Sequence, residues 1–163
     1  MMSLRNILVV LVMWLGTSTL ALAGDSASGT VSFQAAKGPV KFGFLVRGPD
    51  EMDPSKTVLR LYLSSVNIGA KLKAAKTFSD ADNALEDGAM VDFGDARHLG
   101  YAIRLNGERV QYSGGTDGEA FKLTTNKPDH FAGKLQIDDS ASGGAKVDTT
   151  FDLTLVKTFT SLR

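Results

Sequence analysis

The feature that most constrains this chain is an alternation of apolar and polar residues with a period of two. In its last stretch, Val147, Thr149, Phe151, Leu153 and Leu155 fall on one phase. Lys146, Asp148, Thr150, Asp152 and Thr154 fall on the other. Successive side chains of a strand point to opposite faces, so this pattern predicts a strand with one face buried. The same phase recurs at Phe131, Gly133, Leu135 and Ile137, at Leu59, Leu61 and Leu63, and at Val40, Phe42, Phe44 and Val46. Val31 and Phe33 begin the series. Alternation argues against a parallel α/β sheet, whose strands read as continuous apolar runs.

Turn signals separate these segments. Tyr101, Ile103 and Leu105 lead into Asn106-Gly107, and Val110 and Tyr112 lead out. Asn-Gly suits a type I′ hairpin turn, because both residues tolerate positive φ. Gly114-Gly115, Asp117-Gly118 and Gly143-Gly144 punctuate later connections, and Ser113-Gly114-Gly115 reads as turn chemistry. Pro39, Pro49, Pro54 and Pro128 fall at segment ends, where proline breaks no ladder. About eight or nine short strands are expected.

Residues 66–87 break the pattern. Ile68, Leu72 and Ala75 lie at helical spacing, Asn67 is a candidate N-cap, Ser79 with Asp82 suggests a capping box, and Gly88 a stop. The expected fold is all-β: an antiparallel β-sandwich, Greek-key or immunoglobulin-like in character, with a short helical insertion at about residues 67–86. The alternative is a small closed β-barrel, which requires the last strand to pair with the first.

The N-terminus reads as an address. Arg5 precedes an unbroken apolar run from Ile7 to Leu15, and Ala21-Leu22-Ala23 offers small residues for cleavage before Gly24. This is the layout of a secretory signal. Interrupted by Gly16, Thr17, Ser18 and Thr19, the run falls short of the about 20 apolar residues a spanning helix needs. Residues 1–23 are therefore expected to be a cleaved signal peptide. Residues 24–29 would be a flexible leader and residues 30–163 one domain, periplasmic or secreted from a bacterium.

Composition narrows the function classes. With 18 basic and 18 acidic residues, the chain lacks the excess of Lys and Arg that nucleic-acid binding favours. The small cluster Lys71, Lys73 and Lys76 reads as a solvated face. Absence of cysteine excludes disulfides, a thiol nucleophile and thiolate metal ligands. Asp80, Asp82, Asn83, Glu86 and Asp87 superficially match a calcium loop, but Ala84 and Leu85 stand where a ligand and the turn glycine belong. The only histidines, His98 and His130, are too few for a close-spaced zinc set, and adjacent Asp129 and His130 would face opposite ways on a strand. The serine motif of an α/β-hydrolase elbow and a phosphate-binding glycine loop are both missing. Asp138-Asp139, and Asp117 with Glu119, read as solvated loop acids. Phe33, Phe42, Phe44, Phe121, Phe131 and Phe151 read as core; Tyr62, on the opposite phase, reads as an exposed contact.

Several phrases resemble an uncharacterised family of secreted bacterial β-rich proteins. They are Gly29-Thr30-Val31, the stretch from Gly48-Pro49-Asp50 to Lys56-Thr57 ahead of a leucine-rich strand, Ala132-Gly133-Lys134-Leu135, and Val147-Asp148 through Phe151-Asp152. The resemblance implies export and a β-sandwich, and transfers no activity or catalytic residue. Expected function is a non-catalytic exported binding or structural module acting through protein contacts. It would need no cofactor, no catalytic or metal-ligating residue and no nucleic acid. Alternatives are a carrier of a small apolar ligand between sheets or, least favoured, a metal- or carboxylate-dependent hydrolase in which His98 or His130 meets carboxylates.

Overall fold

The computed structural model describes residues 25–94, 99–114 and 119–163. The expected signal segment and cleavage point at Ala23 lie outside these residues, as does His98. The chain is mostly strand: β1 (Ser26–Phe33), β2 (Ala36–Val40), β3 (Phe42–Pro49), β4 (Thr57–Ser64), β5 (Gly88–Phe93), β6 (Leu99–Leu105), β7 (Glu108–Gly114), β8 (Phe121–Lys127), β9 (His130–Asp138) and β10 (Ala145–Thr158). Two short helices, α1 (Gly69–Ala74) and α2 (Phe78–Asp82), fall where the alternation stops.

The strands form one open sheet in the order β2-β1-β10-β3-β4-β5-β6-β7, with β9 joined to β10 and β8 to β9. Every pairing among the described residues is antiparallel except β10 with β3. The last strand does pair with the first, yet the sheet is not a closed barrel. The reason lies in β10. Its first part runs between β1 and β9, and its end shifts register between Leu155 and Lys157 to join β3. The sheet branches there, leaving β2, β7 and β8 as edges.

Exposure along β10 follows the sequence phase residue by residue from Ala145 to Thr154. The larger core cluster gathers Val31, Leu135, Val147, Phe151 and Leu153 with Leu45, Leu61, Leu63, Val91 and Ile103. Phe93 meets Phe121 and Phe131 nearly edge-on, with ring centroids 5.0 and 5.1 Å apart. A second cluster covers the opposite face of β3 and β4: Phe44, Val46, Val58 and Tyr62 pack with Ile68, Leu72, Phe78, Leu85 and Phe159. Phe44 belongs to this second core and Leu45 to the first, so both phases of β3 are apolar for different reasons.

The Asn106-Gly107 hairpin forms as read, with φ of 56° and 78° and Leu105 facing Glu108. Several local expectations are corrected. The residues expected as a leader include Ser26–Gly29, which are paired strand: an isolated polar stretch has no visible partner in sequence, but β10 supplies one. Ser113 and Gly114 lie within β7, not a turn. The capping box is Thr77 with Asp80, two residues before the expected pair, and Asn67 bonds the Gly69 amide without being the cap residue. Gly88 opens β5 with φ of 148°, where an added Cβ would lie 1.9 Å from the Leu63 carbonyl oxygen. It therefore serves close strand approach, not a helix stop.

Candidate functional site

The site is built around an arginine in a strand interior. Alternation places Arg60 on the phase of β4 opposite Leu59 and Leu61. The helical insertion covers that phase, leaving Arg60 only 2% exposed. A buried guanidinium must find partners for its donors. Arg60 Nε donates to Asp92 Oδ1 of β5 at 2.5 Å and Nη2 to Asp92 Oδ2 at 2.6 Å. Nη1 donates to Asp82 Oδ1 of α2 at 2.5 Å, and Nη2 also reaches Glu51 Oε1 of the β3–β4 connection at 3.2 Å. The Phe78 ring lies 4.2 Å from the guanidinium carbon.

Tyr62, expected as an exposed contact, is fully buried, and its hydroxyl donates to Asp82 Oδ1 at 2.8 Å. The correction has the same cause as the buried Arg60: the second face of β4 meets helix and C-terminal tail instead of water. Burial pushes the Tyr62 phenol well above its ordinary value, and the Asp82 charge adds to this. Burial opposes the charge on Arg60, but the hydrogen bonds and charges of Asp92 and Asp82 outweigh it and hold the guanidinium protonated. Burial raises the Asp92 carboxyl. Its bonds to Arg60 work the other way, while the like charges of Asp82 and Glu51 push it further up. One cation divided among three carboxylates cannot satisfy each fully.

Glu51, Arg60, Asp82 and Asp92 line a cleft of about 470 Å³, together with Met52, Asn83, Met90, Arg109, Leu162 and Arg163. Its α2 wall is pinned from the tail. Phe78 and Ser79 donate their amides to the carbonyls of Ser161 and Leu162, both at 3.0 Å. The Asp80 amide goes to Thr77 Oγ1 and the Thr77 amide to the Asp80 carboxylate, so the orphan amides of α2 are all engaged.

The other sequence candidates disperse. Of the acidic stretch, Asp80 caps α2, Asp82 holds Arg60 and Tyr62, and Glu86 pairs with Lys71. His130, on β9, bonds Asp152 Oδ1 at 2.6 Å across the β10 ladder, two positions off its register partner Thr154. Among the described residues no hydroxyl bonds that ring. Asp138 turns to Lys146 and Ser140, which lower its carboxyl to about 2, whereas Asp139 accepts from the Tyr101 hydroxyl at 2.5 Å. Among the described residues no three His, Cys, Asp or Glu side chains form a metal-holding group, and no helix is long and apolar enough to cross a membrane. The Arg60 cluster escaped the sequence reading because it joins residues 51, 60, 82 and 92. The visible signal was a lone arginine between leucines in a strand.

Compared with known protein families, curated proteins and solved structures, the chain matches none.

Proposed function

We propose that this chain is a non-catalytic, exported binding or structural module that acts through protein contacts at an open strand edge of a β-sandwich. The observation that carries this reading is an asymmetry among the edges. Edge β2 carries Pro39 and the exposed Lys37. Edge β8 is bulged between Leu123 and Thr125 and carries the exposed Lys122 and Lys127. Proline, bulges and lysines keep foreign strands off an edge. Edge β7 has no proline and pairs with β6 without a register shift from Leu105–Glu108 to Leu99–Gly114. An uninterrupted edge is the template a partner strand needs.

The sandwich reading is supported by the larger core, which joins residues of β1, β9 and β10 to residues of β3 through β6. Edge-to-face phenylalanines fill that core, which weighs against an apolar carrier. The cleft carboxylates are committed to Arg60, and among the described residues His130 bonds a carboxylate and no hydroxyl, which weighs against a hydrolase. Export rests on the signal-like N-terminus and the family resemblance. The module calls for no cofactor and no nucleic acid.

Photo-crosslinking residues placed at Arg109, Lys122 and Lys37 in the native envelope test this. The expected result is a discrete partner adduct from Arg109 alone. It should disappear with prolines introduced between Arg109 and Ser113 that leave the chain folded. Equal adducts from all three edges, or none, would overturn the reading.

A further inference from the structure

We infer, on the reading of β7 as the docking edge, that its partner is an acidic extended segment whose Asp or Glu carboxylate is held by Arg109, and is not a second copy of this chain. The register puts two cations side by side. Arg109 of β7 stands directly opposite Arg104 of β6, where like charges repel. The Arg104 guanidinium goes to the Leu85 carbonyl, a neutral acceptor, at 2.7 Å. Arg109 is exposed, and among the described residues no carboxylate pairs with either arginine. Glu51, Asp82 and Asp92 of the neighbouring cleft already bond Arg60, and Glu86 pairs with Lys71. Glu108 precedes Arg109 in sequence, but consecutive strand residues point to opposite faces. On edge β8 the comparable pair is Lys122 opposite Lys134, and there Asp148 lies 3.2 Å from Lys134 and relieves it. At β7 the positive charge is left for a partner to meet.

Backbone geometry limits what can meet it. Leu105 and Glu108 close the two-residue Asn106-Gly107 turn, so they bond one another, and bonded pairs recur at every second residue. The amides and carbonyls of positions 109, 111 and 113 therefore point away from β6, toward an incoming strand. A residue of an antiparallel partner that bonds the Arg109 backbone lies directly opposite its side chain. A carboxylate there gains a charge-assisted hydrogen bond. A second copy docked antiparallel about a two-fold axis must pair these same positions with each other. Arg109 would then face position 109, 111 or 113 of the other copy, which are Arg, Gln and Ser.

Ladder hydrogen bonds supply affinity, and charge chooses the partner. The test places a photo-crosslinking residue at Glu108 of the full chain in its native envelope and sequences the captured peptide. The expected adduct is with another protein, through a segment containing Asp or Glu. Arg109→Gln should lower its yield about two- to fivefold, and Arg109→Glu at least about tenfold. Arg109→Glu sets a carboxylate opposite Arg104, so the free chain should melt no earlier than the unmodified one. Lysine in place of the captured acid should restore the yield with Arg109→Glu. Equal yields from the unmodified, Gln and Glu chains overturn the inference and leave the docking edge standing. So does an adduct of two copies of this chain, or a captured segment without Asp or Glu. No adduct at Glu108 in the unmodified chain removes the docking edge and the acidic partner together.

Discussion

Arg60 shows how one residue can be plain in sequence and opaque in meaning. Its position between Leu59 and Leu61 fixes its phase, and phase alone predicts solvent. Burial arises because residues 68–85 and 159–162 cover that face, a long-range fact that no local window contains. Removing one partner of a buried ion cluster costs more than removing the cluster, since an uncompensated charge stays behind. Arg60→Met should therefore destabilise the protein by about 3–5 kcal/mol in urea unfolding. Adding Asp92→Leu to Arg60→Met should recover part of that loss. Additive costs would mean the two residues are not energetically coupled. Thr149 poses the opposite case. Its phase in β10 points it inward, but its buried hydroxyl has no hydrogen-bond partner among the described residues. Thr149→Val keeps the shape and removes the desolvated group, so it should raise the urea midpoint, by up to about 1 kcal/mol in stability. A destabilised variant would show that the hydroxyl has a partner in solution.

Among elements, legibility followed the source of the stabilising force. The β6–β7 hairpin and the alternation of β10 are local: turn dihedrals and a two-residue period determine them, and both were readable. Helix α2 has only five residues, too few to be stable alone, so its limits depend on caps and on what it touches. The sequence placed helical turns correctly between residues 66 and 87 but put the capping box at Ser79 and Asp82. The true box wins because Asp82 is drawn to Arg60 and Tyr62, and because the tail carbonyls fix Phe78 and Ser79 as the first helical residues. Thr77→Ala removes the acceptor for the Asp80 amide and should cost about 1 kcal/mol. Faster exchange at Asp80 and Ala81, with β10 unchanged, checks that the loss is confined to α2. No change in stability or exchange would mean water replaces the cap without cost.

For the whole molecule, the decisive feature is that β3 and β4 serve two cores at once. The larger core was legible where β1, β4, β9 and β10 show their own alternation, but not in β3, which enters it with Leu45 from the phase opposite to Phe44 and Val46. The second was not, because it takes apolar residues from strands, a helical insertion and the tail, and only Phe44 and Val46 announced it within a strand. The two cores differ in how they are held. The larger is bounded by long ladders such as β9 with β10, whereas the second depends on short helices and on Phe159, which lies 5.8 Å from Phe78 between ring centroids. Local opening should therefore begin at the second core. Phe159→Ala removes its aromatic lid and should cost about 3–5 kcal/mol. The exchange pattern then separates two architectures. If the cores are distinct cooperative units, the amides of Phe78 and Ser79 lose protection while those of Leu135 and Val147 keep theirs. If β3 and β4 weld them into one, all four lose protection by the same free energy.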